Sequence, residues 1–230
     1  MKQVVITGAS QGIGQEIAKL FLNQGYIVHN ISRHAPQYSH PNLRHWQADM
    51  LYYDQLEQVI HQIGSFDVLI NNAGYMNTLT ASSYTWNEMH NIMNVNLIHT
   101  IQLSIDVAEN IFKIQQSGRI ISIASIAGQI GHPDIWYGIS KAGLINGMRS
   151  MARSHAQHNI QTFSIAPGPV ETEIMKKIPF ERQKRLKEAT LNHKFCQVQE
   201  IANTALWLAD KAPNCLSGEV FDLNNGVNYR

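Results

Sequence analysis

Cysteine is scarce in this chain: Cys196 and Cys215 are the two in 230 residues, and they form no C-x-x-C pair. That excludes a disulfide framework and a thiolate metal cluster, and it suits a reducing compartment. Long apolar runs are absent too, so no segment reads as a bilayer span. The first residues, Met1 to Thr7, enter a strand pattern directly, with no apolar stretch ending at a small-residue cleavage site. The expectation is a cytoplasmic protein. An excess of either charge is also lacking, with 18 Lys and Arg against 17 Asp and Glu and a formal net charge of +1. Nothing electrostatic therefore favours nucleic acid or an anionic membrane as partner. Of the 11 histidines none stands in an H-E-x-x-H arrangement, and His155 with His158 reads as a solvated pair near a helix end, so no metal is expected.

What the sequence does contain is alternation. Short apolar, β-rich runs recur at Lys2 to Thr7, Ile27 to Ile31, Leu43 to Ala48, from Asp67, Gly118 to Ala124, Ile160 to Ala166 and Glu219 to Leu223. Between them lie helical patterns: Gly14 to Asn23, Leu56 to Ile63, Trp86 past Val107, Trp136 to before Asn159, and Glu200 to Leu208. Such alternation builds an α/β fold, a doubly wound, parallel, seven-stranded sheet of Rossmann type with helices on both faces. Near-continuous apolar strands suit a sheet covered on both sides. Right-handed crossovers put every strand's C-terminal end on one edge, where ligands of such folds sit. No linker or repeat interrupts the pattern, so residues 1–230 are expected to form one domain. The charged stretch from Lys176 to Lys187 is the one long irregular candidate, and a mobile substrate lid is expected at about 173–195.

Thr7-Gly8-Ala9-Ser10-Gln11-Gly12-Ile13-Gly14 follows the first strand and opens a helix. Glycines let the backbone turn tightly and approach a pyrophosphate, and the helix start offers free N–H donors. Alone, the pattern fits a ligand-free Gly-rich turn equally well. Four further segments follow in order: Asn71-Asn72-Ala73-Gly74; Asn96 within Asn94-Val95-Asn96-Leu97; Ser125 followed by Tyr137-Gly138-Ile139-Ser140-Lys141; and Pro167-Gly168-Pro169-Val170-Glu171-Thr172.

This ordered set resembles the TGxxxGIG, NNAG, YxxSK and PGxVxT signatures of the short-chain dehydrogenases/reductases, and the resemblance covers essentially the whole chain. It implies an oxidoreductase that moves a hydride between a nicotinamide cofactor and a carbonyl/secondary-alcohol pair. Asn96, Ser125, Tyr137 and Lys141 form the implied catalytic set. The implied cofactor contacts are Gly8, Ser10, Gln11, Gly12, Ile13 and Gly14 at the diphosphate, Asp49 and Met50 at the adenine, and Asn72, Ala73 and Gly74 along the adenosine ribose. Tyr137 and Lys141 would meet the nicotinamide ribose, and Pro167, Gly168, Val170 and Thr172 the nicotinamide. Each position has a structural alternative: Asp49 as a helix cap, Asn72 as a strand brace, Ser125 as a strand end, and Tyr137 with Lys141 as ordinary helix packing.

At the end of the second strand an acid would bind a free ribose 2′-OH. Here Ser32 and Arg33 stand there, which suits a 2′-phosphate, so NADP(H) is expected, with NAD(H) as the alternative. The second basic residue that many NADP-using relatives carry in the Gly-rich turn is Gln11 in this chain. A free tyrosine, with a pKa of about 10, is a poor proton donor and acceptor near neutrality. Lys141 lies four residues after Tyr137 on the same helix face. A unit charge about 4 Å away at an effective dielectric of about 20 supplies roughly 4 kcal/mol, enough to lower that pKa by about three units. Ser125 would hold the substrate oxygen, and Asn96 a water chain to Lys141.

The Ser125-to-Tyr137 spacing is about one residue shorter than in many relatives, which alters the pocket loop Ile126 to Ile135. Tyr75, Met76 and Trp136 are expected to line the pocket, with Met175, Ile178, Pro179 and Phe180 as an apolar lid tip. The resemblance implies a small carbonyl or alcohol substrate, a 3-oxoacyl group or a general carbonyl compound. Gln116 and His158 stand where several acyl-carrier-linked relatives have basic residues. A homo-oligomer, tetramer or dimer, is expected through the outer faces of the two long helices. Two other classes compete. A catalytically silent NAD(P)-sensing binding protein usually loses the tyrosine or lysine, and both are present. The longer sugar-nucleotide epimerases and dehydratases usually carry a different glycine spacing.

Overall fold

The computed structural model describes residues 1–230 except 78, 173, 174, 176–178, 229 and 230. Seven parallel strands form one sheet: β1 (Gln3–Thr7), β2 (Ile27–Ser32), β3 (Leu43–Gln47), β4 (Val68–Asn71), β5 (Gly118–Ile123), β6 (Ile160–Pro167) and β7 (Val220–Leu223). Their spatial order is β3-β2-β1-β4-β5-β6-β7. The chain winds outward from β1 through β2 to β3, then crosses to β4 on the other side of β1 and winds outward again. The switch point between β1 and β4 opens a crevice at the C-terminal edge. Every residue of β4 and of β6 is buried, as central strands covered on both faces require.

The helices are α1 (Gly12–Asn23), α2 (Tyr53–Ile63), α3 (Trp86–Met93), α4 (His99–Val107), α5 (Lys113–Gln115), α6 (Ala127–Ile130), α7 (Ile135–His155), α8 (Phe180–Glu188) and α9 (Val198–Asp210). They divide between two cores. One joins Ile17 and Phe21 of α1 and Ile201, Ala205 and Leu208 of α9 to Val4, Ile6 and Ile121 of the sheet. The other joins Leu56 of α2, Leu103 of α4 and Leu144 and Met148 of α7 to Val5, Leu69 and Ile120. Val4, Val5 and Ile6 thus alternate between the two cores, the period of two that a strand imposes.

Four sequence expectations are corrected. The first helix starts at Gly12, two residues early, because Gly12 at φ +57° turns the chain directly into it. The helix from Trp86 is not one regular helix to Val107: π turns at Asn94–Ile98 and Ala108–Phe112 break its period, and it continues to Gln115. The charged stretch is partly regular, since α8 overlaps it from Phe180 onward. Glu, Arg, Gln, Lys and Leu are all good helix formers, with Glu181 in the first turn and Arg185 and Lys187 in the last complementing the dipole. Finally, His155 is no solvated pair with His158: it is buried, with Nε2 3.0 Å from Glu109 Oε1 and Nδ1 3.1 Å from the Met151 carbonyl. Among the described residues no helix is long and apolar enough to cross a membrane.

Candidate active site

The Gly-rich turn is shaped from below. Gly8 at φ +72° and Gly12 at φ +57° occupy the left-handed region that side chains disfavour. Gly14 is where the helix start meets its neighbours, and a Cβ there would lie 2.3 Å from Asn72 Nδ2 and 2.4 Å from the Gly8 carbonyl oxygen. Buried Asn30, in β2, accepts a hydrogen bond from the Ala9 N–H at 2.9 Å and pins the turn to the sheet. The N-cap of α1, Gln11, makes no side-chain capping bond, and the first α-helical bond runs from Gln15 N–H to the Gln11 carbonyl. The N–H groups of Gly12, Ile13 and Gly14 precede that bond, and a Cβ on Gly12 would meet nothing within 4 Å. An open ring of donors at a positive helix end fits a diphosphate, so the residues present suit a dinucleotide.

Asn72 is the strand brace that the sequence left as its alternative. Its Nδ2 donates to the carbonyls of Thr7 (3.0 Å) and Gly8 (2.9 Å). Thr7 Oγ1 in turn accepts from the N–H groups of Asn72 and Ala73. The side-chain nitrogen of Asn72 therefore braces the turn. Asp49 caps no helix, since Tyr52 is the N-cap of α2; Asp49 Oδ1 accepts from the Leu51 N–H at 3.0 Å. Asp49 is half-buried at the end of β3, beside buried Met50. Ser32 is buried, donates its hydroxyl to the His34 carbonyl at 2.8 Å and accepts from Asn30 Nδ2 at 2.9 Å. Arg33 beside it is exposed.

Across the switch point, β6 ends at Pro167 and the following loop forms a parallel bridge between Val170 and Cys196. The bridge uses the Pro169 carbonyl and the Glu171 N–H. By strand alternation the N–H and carbonyl of Val170 itself face the other way. Gly168 is held by its N–H to the Leu223 carbonyl, and a Cβ on it would lie 2.8 Å from Asn224 Cα. Thr172 is half-buried at the end of this loop, and its carbonyl accepts from the Met175 N–H. Phe180 is 75% exposed, and Ile178 lies outside the described residues.

The four catalytic candidates meet at the ends of β4 and β5. Ser125 follows β5 and accepts a hydrogen bond from the Ala127 N–H at 3.1 Å. Tyr137 and Lys141 lie on α7, with Lys141 Nζ 5.9 Å from the Tyr137 ring centre and donating to the Ile123 carbonyl at 2.8 Å. Burial pushes the Tyr137 phenol above its ordinary pKa, a hydrogen bond with Ser125 pulls it down, and the Asp134 carboxylate pushes it up again. Burial alone draws the Lys141 ammonium down to about 8.

Asn96 sits in the first π turn, where the His99 N–H reaches the Asn94 carbonyl. Its side chain clasps Tyr75, accepting from the N–H at 3.0 Å and donating to the carbonyl at 2.8 Å, and also approaches Ser140 Oγ at 3.2 Å. The side chain thus joins Tyr75 to Ser140. Gly74 lies between this amide and Lys141, a Cβ on it coming within 3.4 Å of both Asn96 Oδ1 and Lys141 Nζ. Sequence reasoning missed Asn30, Ser140 and Asp134 as supports. A β-disfavoured Asn inside an apolar strand and an Asp three residues before Tyr137 were the available signals.

The sequence matches the family of short chain dehydrogenases over residues 2–183. It is 29% identical to the 3-oxoacyl-(acyl-carrier-protein) reductase FabG of Vibrio cholerae, over 98% of this chain and 97% of that protein. Among solved structures, a 4-hydroxyisoleucine dehydrogenase complexed with NADH superposes with a TM-score of 0.94 at 24% identity, covering 99% of both chains. ElxO with NADP bound gives 0.88 at 25% identity over 98% of both. The chain belongs to the short-chain dehydrogenase family and is an NAD(P)-dependent oxidoreductase acting on carbonyl and alcohol groups.

Proposed function

We propose that this protein reduces a 3-oxoacyl thioester or a similar carbonyl compound with NADPH, Tyr137 being the proton donor. The observation that carries the reading is the gathering of Ser125, Tyr137 and Lys141 at the sheet edge that also holds the uncapped start of α1. The cofactor, when bound, supplies the hydride. Ser10, Gly12 and Ile13 hold its diphosphate through hydroxyl and N–H donors, with Gly8, Gln11 and Gly14 shaping the turn. Asp49 and Met50 flank the adenine, Ala73 and Gly74 line the ribose side, and Pro167, Gly168, the Val170 backbone and Thr172 hold the nicotinamide end. Ser125 donates to the substrate oxygen and stabilises charge developing there. Tyr137 delivers a proton to that oxygen, and Lys141 favours the phenolate left behind. Asn96 fixes Gly74 and Tyr75 against this group.

The name of the Vibrio cholerae relative supports a 3-oxoacyl substrate. So does α8, where Arg182, Lys184, Arg185 and Lys187 offer positive charge to an anionic carrier, charge that Gln116 and His158 do not offer. The described residues of the 173–195 span, with α8 at their centre, are the part of the chain we assign as substrate lid. The two free thiols suit the cytoplasm. Acetoacetyl coenzyme A with NADPH is the assay, and no oxidation of NADPH by this or any other carbonyl compound in a broad panel would reject the reading.

NADPH is expected to give a higher kcat/KM than NADH. Both cofactors occur on this fold, so the choice rests on local charge, and Arg33 replaces the acid that would repel a 2′-phosphate. Arg33→Ala should lower kcat/KM for NADPH about 10-fold or more, the value of one charge-assisted hydrogen bond, and leave NADH use unchanged. Equal use of both cofactors, or an unselective loss, would refute this.

A dimer or tetramer is expected in solution. Ile98 and Ile139, on the α3–α5 stretch and α7, are half-exposed and Ile114 is 78% exposed, apolar surface on the two long helices that a second copy would cover. Light scattering at micromolar concentration decides it: a stable monomer would overturn the expectation.

A further inference from the structure

Asp134 is a carboxylate with 2% of its surface exposed, three residues before Tyr137. Burying a charge is costly unless hydrogen bonds compensate it. Here they do. Asp134 is the N-cap of α7, and its Oδ1 accepts from the Tyr137 N–H at 3.1 Å. The same oxygen accepts from the Tyr84 hydroxyl at 2.6 Å. The Asp134 N–H donates to His132 Nδ1 at 3.1 Å, and the His132 ring stands edge-on to the Tyr137 ring, 5.3 Å between centres.

Tyr84 ends the segment that runs from β4 to α3. That segment begins at Tyr75, which Asn96 clasps by both main-chain groups. Asn96 also bonds Ser140, whose hydroxyl donates to the Tyr137 carbonyl at 2.8 Å. Tyr75 and Tyr84, the two ends of this stretch, are therefore both anchored to α7: Tyr84 one turn before Tyr137 through Asp134, and Tyr75 one turn after Tyr137 through Asn96 and Ser140. Tyr137 lies between the anchors. A single carboxylate oxygen joins the first anchor to the backbone of Tyr137.

We propose that Asp134 is a positioning residue for the reaction, tying the segment 75–84 to the first turn of α7 through Tyr84 and so fixing the Tyr137 phenol against Ser125. The proposal rests on Tyr137 being the proton donor. A one-ångström misplacement of a reacting group can cost on the order of 10²-fold in rate, so a tie of this kind matters to chemistry as well as to folding. The carboxylate also acts on the phenol by charge. The groups facing Tyr137 are Lys141 on α7, Ser125 after β5, His132 and Asp134 before α7, while Arg182 of α8 acts on His132. Of these Asp134 is the anion, and it opposes phenolate formation, against the pull of Lys141.

Two variants separate the roles. Asp134→Asn keeps an N-cap of equal quality and an acceptor for Tyr84, but removes the charge. Its melting temperature should match wild type. In acetoacetyl coenzyme A reduction with NADPH, its alkaline limb should move to lower pH by roughly half a unit to one unit, because a like charge no longer opposes the phenolate. Tyr84→Phe keeps the charge and releases the segment. It should raise KM and lower kcat, together reducing kcat/KM about 10-fold or more, within the range that misplacement produces. Wild-type pH limb in Asp134→Asn together with wild-type constants in Tyr84→Phe would overturn the proposal. Tyr137→Phe runs beside them: if it is inactive, such a result sinks the role of Asp134 alone, whereas if it turns over normally, the proton-donor assignment itself has failed and the proposal falls with it.

Discussion

Replacing Tyr137 with phenylalanine is expected to lower the turnover of acetoacetyl coenzyme A by about 10²–10⁴-fold, the usual worth of a general acid. Fold and NADPH affinity should survive. The change removes one hydroxyl and almost no volume, and the ring keeps its edge-on contact with His132. The lost hydrogen bond to Ser125 is worth only about 1 kcal/mol of stability. Packing and chemistry therefore separate cleanly at this position. In the wild type, reduction should slow as pH rises through the apparent pKa of the tyrosine, because phenolate has no proton to give, and alcohol oxidation should show the opposite dependence. That apparent pKa belongs to tyrosine, lysine and cofactor together. Burial and Asp134 raise it while Ser125 lowers it, so in the free protein the phenol stays protonated at neutral pH and is ready as a donor. Single-turnover NADPH oxidation, with cofactor affinity measured separately, is the check. A variant that binds NADPH normally and still turns over near the wild-type rate would show that another group delivers the proton.

The order of strands and the edge that carries the site were legible because parallel sheets write themselves as apolar runs separated by helical periods. The positions of Ser125, Tyr137 and Lys141 follow from that reading and from their motifs. What the motifs did not convey is the division of labour around them. Asn72 is implied along the ribose side; that its Nδ2 also braces the Thr7 and Gly8 carbonyls depends on β1 and β4 being neighbours and not on local sequence. Asn96 is implied to hold a water chain; that it sits in a π turn with its side chain on Tyr75 was not legible, because a search at a period of 3.6 residues cannot register a five-residue bond. Helix α8 was read as irregular because it buries none of its residues, so no apolar stripe marked it. Asp134 was readable as an N-cap; that its second partner is Tyr84, fifty residues earlier, was not. Local rules found the elements, and long-range partners decided what individual polar side chains do.

Lys141→Met should make the free protein more stable at pH 7, by about 2 kcal/mol, while abolishing most turnover. The reasoning starts from burial. The ammonium is drawn down from 10.5 to about 8 by loss of solvent. In the unfolded chain the lysine keeps its proton up to about 10.5; in the folded chain it releases it near 8. Between those values the unfolded state holds more protons, so the contribution of this residue to stability rises with pH across that window. Below pH 8 both states are protonated and the folded state carries the whole cost, about 3 kcal/mol at roughly 1.4 kcal/mol per pH unit. The hydrogen bond to the Ile123 carbonyl, lost in the variant, returns about 1 kcal/mol to the wild type. Methionine fills the same channel with a flexible apolar chain and needs no proton. Denaturant unfolding of the two proteins without cofactor should thus show the variant ahead at pH 7, the gap closing as pH rises from 8 towards 10.5. Tyr137, its pKa raised by burial, keeps its proton at pH 7 in both proteins and drops out of the difference there. Equal stability at pH 7 would mean that the ammonium is hydrated or paired in the free protein and exacts no cost. A destabilised variant would make Lys141 a structural residue first. The expected pattern, gain of stability with loss of turnover, is what a charge kept in a dry site for chemistry should produce, because the fold bears its desolvation and only the reaction benefits.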